Sequence, residues 1–177
     1  KCQVYKSHVY EFEDMKAAVL GDYIPSKLEF DENENCIFMA STTDYSGFIV
    51  ICFKNGKIAK ITLDAYQTKT NRKKLINAYG DKSEPVKIFC IKEDVDIVLY
   101  SSNGRVLIIN TAAVMPKTTK NTQGVQAISL KGKNYLQKAE ILNENNFIKP
   151  HLYKTKNIPA AGAFLKDEDK DKNQIKL

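Results

Sequence analysis

The sequence predicts an all-β, propeller-like fold, a β-pinwheel of four-stranded blades with about three blades visible. Three observations carry this. Phe48-Ile49-Val50-Ile51-Cys52-Phe53-Lys54-Asn55-Gly56-Lys57 and Ile97-Val98-Leu99-Tyr100-Ser101-Ser102-Asn103-Gly104-Arg105 read alike, Asn55-Gly56 recurring as Asn103-Gly104 at a spacing of 48. Each is a β-branched run, an Asn-Gly turn, a basic residue and a second apolar run, and strand repeats of that length mark propeller-like or solenoid arrays. Downstream, Gln67-Thr68-Lys69-Thr70-Asn71 and Lys117-Thr118-Thr119-Lys120-Asn121 follow at a spacing of 50.

The repeats run over about residues 1–45, 46–95 and 96–145, within a domain spanning 1–165. Each Asn-Gly pair is expected to close a two-residue hairpin of type I′, which needs positive φ at both central positions. A polar connection rich in Lys and Thr comes next. A short strand such as Ala127-Ile128-Ser129-Leu130 follows, and then a closing strand, Val86 to Ile91 in one copy and Leu136 to Leu142 in the other. That makes four strands per repeat. One blade buries too little to stand alone, so several must stack.

The first repeat lacks its beginning. Gln3-Val4-Tyr5-Lys6 is expected to be its second hairpin strand, Lys16 to Pro25 the connection around Gly21, and Cys36-Ile37-Phe38-Met39 its closing strand. Gly21 and Gly124 then fall at the same place, at a spacing of 103. Either the partner of Gln3–Lys6 lies upstream in a longer protein, or C-terminal strands around Phe147 to Tyr153 fill the vacancy. Lys156 to Leu165 suits an irregular lash across a sheet. Residues 166–177 alternate acid and base and are expected to form a charged, flexible or loosely docked tail.

Asn103-Gly104-Arg105, Val114, Lys117 to Asn121, Gln123-Gly124-Val125 and Ile128-Ser129-Leu130 together resemble the repeat in the C-terminal domain of type IIA topoisomerase A subunits. That family comprises the DNA gyrase A protein and its topoisomerase IV counterpart. The run Lys69-Thr70-Asn71-Arg72-Lys73-Lys74-Leu75-Ile76-Asn77-Ala78-Tyr79 is similar to versions in clostridial-type members, and Ile158-Pro159-Ala160-Ala161-Gly162 is similar to the end of such a protein. The resemblance covers about residues 1–142.

It implies a β-pinwheel whose basic rim binds and bends duplex DNA, a non-catalytic part of an ATP-dependent isomerase. The implied partners are DNA, the catalytic core of the same polypeptide, and the ATPase component of a heterotetramer. No cofactor is implied in this chain, ATP and Mg²⁺ being expected elsewhere in the parent enzyme. No match to the sequence around the family's catalytic tyrosine occurs. The Gln-Arg-Arg-Gly-Gly-Lys-Gly box that the gyrase members of the family carry and that is tied to wrapping DNA is also not found, which favours a topoisomerase IV-like protein over a gyrase wrapping domain. The implied DNA-binding residues are Lys57, Lys69, Asn71, Arg72, Lys73, Lys74, Arg105, Lys117, Lys120, Lys131 and Lys133.

Charge agrees with a nucleic-acid partner. The formal charge is +6, but residues 1–35 hold four lysines against eight acids, residues 36–160 nineteen cations against nine acids, and residues 161–177 four against four. Such a localised field steers polyanions. Lysine supplies 25 of the 27 cations, which equally describes an AT-rich genome decorating any surface. If DNA binds, lysines neutralise phosphates while Thr68, Thr70, Thr118 and Asn121 donate to them, without reading bases. The rival class is a propeller that binds proteins or small ligands; cations at equivalent places in successive repeats argue for the rim.

The remaining residues carry no reaction chemistry. Cys2, Cys36, Cys52 and Cys90 lie in or beside apolar runs at spacings of 34, 16 and 38 that fit no metal motif, and read as buried free thiols. His8 and His151 stand alone. Asp31-Glu32-Asn33-Glu34 reads as a solvated turn, not a calcium loop, and Asp94 and Asp96, at the corresponding place before the next repeat, also read as a turn. Tyr5, Tyr66, Tyr79 and Tyr100 read as packing residues. No run approaches the roughly 20 apolar residues needed to span a bilayer; free cysteines together with a nucleic-acid role lead to the expectation of a cytoplasmic, nucleoid-associated protein.

Overall fold

The computed structural model describes residues 2–70 and 72–173. Its centre is two hairpins, β2 (Phe48–Phe53) with β3 (Lys57–Thr62) and β6 (Asp96–Ser101) with β7 (Arg105–Asn110). Each hairpin gains an outer antiparallel strand, β5 (Pro85–Ile91) on β2 and β9 (Leu136–Ile141) on β6. Both outer pairings carry a register shift at the same repeat position, Cys52/Phe53 and Tyr100/Ser101.

The hairpin turns differ from the type I′ expectation. Gly56 N–H donates to Phe53 O (2.9 Å) and Gly104 N–H to Ser101 O (3.0 Å). Positive φ falls on Gly56 (+81°) and Gly104 (+77°) and not on Asn55 or Asn103. This is a longer loop whose left-handed position is taken by glycine alone. Asn55 serves instead through its side chain, which accepts from Lys57 N–H at 3.1 Å.

The fourth strand of each sheet is handed back from the following segment. β8 (Val125–Gln126) belongs to the third repeat but pairs with Ile58 and Lys57 of β3. In the same way β4 (Lys74–Leu75) of the second repeat pairs with β1 (Val4–Tyr5) of the first. Residues 3–6 thus hold the expected second-hairpin-strand place. On the last sheet the edge strand β7 takes both β10 (Lys154–Thr155, parallel) and β11 (Ala163–Phe164, antiparallel). The C-terminal strands therefore complete the third repeat, not the first.

Packing follows from strand alternation. In β2 and β3 one set of side chains (Val50, Cys52, Ile58) meets Ile97, Leu99, Leu107 and Ile109 of the next hairpin. The alternate set (Ile51, Phe53, Ala59, Ile61) meets Leu63, Tyr66, Leu75 and Ala78, with Val4 packed against them. In turn, Val98, Val106 and Ile108 on the far face of the last hairpin meet Phe147 and Tyr153. The result is a stack of layers: first repeat, second sheet, third sheet, C-terminal segment.

The first repeat departs most from expectation. Residues 36–39 form no strand; Ile37 and Met39 are exposed. Gly21 is exposed, lacks positive φ and has open space around it, so it is not the counterpart of Gly124. The segment holds a one-turn helix, α1 (Ile24–Lys27), and an acidic turn that is not simply solvated: Tyr5 Oη donates to Glu34 Oε2 at 2.5 Å and Lys74 pairs with Asp31 at 2.6 Å. At the other end, Asp167–Asn173 form α2. It is docked by buried Asp169, which accepts from Tyr153 Oη (2.7 Å) and Ile148 N–H (2.6 Å), a firmer attachment than the charge pattern of residues 166–177 suggests.

A buried ion pair of the second repeat is tied to the third through Thr111. Lys60 of β3, 3% exposed, donates to Asp94 Oδ1 at 2.5 Å, with its ammonium 4.4 Å from the Phe48 ring centroid. Thr111 Oγ1 also donates to Asp94 (2.6 Å). Asp94 is thus an inter-repeat tie, not a free turn. Lys60 and then Thr111 hold its carboxyl below the ordinary range. This contribution is present above the unfolded carboxylate value of about 3.9 and is lost as pH falls through the lower folded value. Asp94→Asn should destabilise the protein by about 1–3 kcal/mol, less than the full cost of breaking a buried pair because Asp94 is partly solvated. Lys60→Met should cost less, since it leaves no buried charge behind. Urea unfolding at pH 7 and at about pH 3 checks both, with the wild-type minus Asp94→Asn difference shrinking at the lower pH, which lies below the unfolded carboxylate value.

The cysteines separate. Cys52 is buried, whereas Cys36 and Cys90 are exposed and Cys2 is intermediate, correcting the expectation of four buried thiols. Cys90 sits on β5, whose exposed and buried side chains alternate. Burial pushes the Cys52 thiol up to about 12. A thiol reagent at pH 8 should label Cys36 and Cys90 rapidly in native protein and Cys52 only after denaturant is added, read by mass spectrometry of the labelled peptides.

Candidate nucleic-acid interface

The basic connections of the second and third repeats run along the strand edges they complete. In the third repeat the connection leaves residues 111–114 and lays Lys117 in parallel against Ile61, with Lys117 N–H donating to Lys60 O (2.8 Å) and Thr62 N–H to Lys117 O (3.0 Å). Lys120 then reaches the second repeat, its Nζ donating to Ala65 O at 3.0 Å, and Gln123 donates to Asp81 at 3.1 Å. At Gly124 (φ +72°) a Cβ would lie 2.4 Å from Ile58 O, so only glycine lets the connection turn in to become β8.

The second-repeat connection does the same one layer earlier. Lys73 O accepts from Lys6 N–H (2.6 Å), and Lys6 Nζ donates to Thr68 Oγ1 (2.5 Å). Lys120 and Gln123 touch residues 65 and 81, which precede and follow this connection in sequence, so the third-repeat connection is anchored on the second repeat. Exposed Lys69, Arg72 and Lys117 enter no ion pair among the described residues.

Lys73 and Lys74 differ. Lys73 pairs with Glu11 at 3.0 Å and Lys74 with Asp31 at 2.6 Å. Through the hydrogen bond Lys73 holds the Glu11 carboxyl below its ordinary range, and Asp31 holds the Lys74 ammonium above its own. The acids of the first repeat thus cover part of the charge that the sequence places on the rim.

Four further candidates fall elsewhere. Lys57 begins β3 beside the hairpin turn, opposite Gln126. Lys131 and Lys133 are exposed on the loop before β9, near both hairpin tips: Leu136 N–H donates to Lys54 O and Ser102 N–H to Tyr135 O. That is the end of the strands remote from Lys117. Arg105 is engaged by the chain itself, donating to Gly162 O at 2.8 Å with its guanidinium 4.3 Å from the Phe164 ring centroid. It clamps β11. Asn71 lies outside the described residues.

The geometry therefore offers an edge-on row of flexible cations on connections fixed by backbone pairing, suited to phosphates. Among the described residues no group of His, Cys, Asp and Glu could hold a metal ion, and no helix is long and apolar enough to cross a membrane.

Comparison with known proteins agrees with the resemblance in the repeats. No family model matches the chain. It is 26% identical over 128 residues to the DNA gyrase A protein of Clostridium acetobutylicum, a match covering 71% of this chain and 15% of that protein's length. Among solved structures it is similar to a C-terminal domain of DNA topoisomerase IV (TM-score 0.70, 20% identity) and to a DNA gyrase A C-terminal domain (TM-score 0.56, 19% identity). Each match covers 82% of this chain and 46% of the other. The chain thus has the β-pinwheel fold of those domains, with its sheets side by side and unclosed.

Proposed function

We propose that this chain is a non-catalytic DNA-binding and DNA-bending domain from the A component of an ATP-dependent type IIA topoisomerase, of the topoisomerase IV-like kind. The observation that carries this reading is the pair of basic connections at equivalent repeat positions, each paired to a strand edge of the preceding repeat, with Lys69, Arg72 and Lys117 exposed and in no ion pair among the described residues. The domain holds a duplex by its phosphates and presents it to the catalytic core of the same polypeptide, which works with an ATPase partner and Mg²⁺. A cytoplasmic place on the nucleoid goes with this role.

Bending a site of 20–30 base pairs by 40–90° costs on the order of 1–6 kcal/mol, which a handful of lysine–phosphate contacts offsets. With Lys73 and Lys74 shared with acids, the free cationic path is short. This favours local bending over wrapping a full turn. The second reading, a gyrase-type wrapping domain, draws on the sequence match to a gyrase protein. The full-length protein paired with its ATPase partner separates the two: decatenation and relaxation without efficient negative supercoiling is the expected result, and efficient supercoiling of relaxed plasmid would establish wrapping.

The chain itself should bind duplex DNA without sequence preference, log K falling against log salt with a slope of roughly −4 to −5, as for neutralising four to six phosphates. Reversing Lys69, Arg72 and Lys117 to Glu should make that slope shallower by about 2–3. The charge-matched reversal of exposed Lys16, Lys92 and Lys166 should leave it nearly unchanged. Equal effects from both sets would show that net charge alone governs binding.

A further inference from the structure

We propose that residues 155–164 are a shortened copy of the connection each repeat hands to its predecessor, and that Lys154 and Lys156 on it form a further phosphate-contacting station for duplex DNA. The inference rests on the reading above and extends it to a segment outside the three repeats.

The two paths correspond at a constant offset in residue number, Lys117 matching Thr155 as Gly124 matches Gly162. Lys117 lies parallel to Ile61, and Thr155 lies parallel to Ile109, the counterpart of Ile61 in the next hairpin. Further along, Gly124 and Gly162 both have positive φ (+72° and +71°). A Cβ on either would strike a carbonyl at the same repeat position, Ile58 O at 2.4 Å or Val106 O at 2.7 Å. Next, Val125 and Gln126 pair antiparallel with Ile58 and Lys57, as Ala163 and Phe164 pair with Val106 and Arg105. Even the intermediate contacts correspond: Ala160 sits against Ala127 and Ser129, while Thr122, its counterpart at the same offset, sits against Gly80.

Lys154 and Lys156 therefore flank the structural counterpart of Lys117. Lys156 is exposed and in no ion pair among the described residues. It is held on a turn in which Thr155 Oγ1 accepts from Asn157 N–H (3.2 Å) and donates to Asn157 O (3.0 Å). Lys154 is shared with Asp96 at 2.7 Å yet remains 45% exposed, as Lys73 is shared with Glu11 in the second repeat. The ligand chemistry is the phosphodiester backbone, because the segment offers ammonium groups and a fixed backbone with no pocket for a base. The period of the main repeats conceals this copy, since Thr155 follows Lys117 more closely than Lys117 follows Gln67.

The test uses the whole chain and a labelled duplex titrated at several salt concentrations. Lys156→Glu should make the log K against log salt slope shallower by about 1, and Lys154→Gln with Lys156→Glu by about 2. A hydroxyl-radical footprint should shorten at one end only. Lys166→Glu, an exposed reversal outside the station, should change neither. Slopes for the Lys156 variants equal to that of Lys166→Glu would make the segment a structural cap only and overturn the proposal while wild-type binding stands. A wild-type chain that does not bind DNA overturns both readings. Lys156→Glu alone touches no packing contact, and an unchanged urea midpoint verifies that the loss is electrostatic.

Discussion

The rest of the molecule depends on one constraint: the central hairpin strands are apolar on both faces. Val50 and Cys52 point one way and Ile51 and Phe53 the other, and all four are buried. Ile97 and Leu99 likewise alternate with Val98. A sheet built from such strands has no face to offer water, so each must be covered on both sides. The layered order follows. The first repeat survives as a cover for the second sheet even though few of its residues are in strands, and the C-terminal segment contributes Phe147 and Tyr153 to cover the last one.

Charge is arranged around this stack in a way the totals conceal. The acidic start and the basic middle are neighbours in space, joined by Lys73–Glu11 and Lys74–Asp31, and Lys60 is consumed inside by Asp94. Along the sheet edges what remains outside ion pairs among the described residues is narrower than the formal excess: Lys69, Arg72 and Lys117 on the connections. Exposed pairs of this kind contribute little to stability, so their main effect is on the field a polyanion meets.

The hairpins, their outer strands and the repeat were legible because short apolar, β-branched runs and Asn-Gly punctuation are local signals. The handed-back strands were not. Lys74–Leu75 and Val125–Gln126 are too short to carry periodicity, and their partners lie far away in sequence, at Val4–Tyr5 and Lys57–Ile58. Gly124 was visible as a glycine, but its role depends on the approach of Ile58 O, which is why Gly21 was a false counterpart and Gly162 the true one. Exposure of Cys90 escaped because an outer strand reads like an inner one. Arg105 looked like a rim cation, and only the C-terminal strand beside it shows a clamp. The equivalent placing of the two basic connections on strand edges was foreshadowed by their matching repeat positions, whereas the acids that cover Lys73 and Lys74 come from a segment with no strand of its own there.

The direction of the strand handover bears on how the chain is born. In each of the three repeats the closing strand comes from residues that follow it: β1 waits for β4, β3 for β8 and β7 for β11. When β3 has left the ribosome its open edge must persist until about sixty more residues emerge, on the order of 3–12 s at ordinary elongation rates. During that interval the nascent protein presents an unpaired, apolar strand edge, the feature most prone to pairing with the wrong chain. Assembly of this array is thereby ordered in time from its amino end, with each layer provisional until the next one seals it.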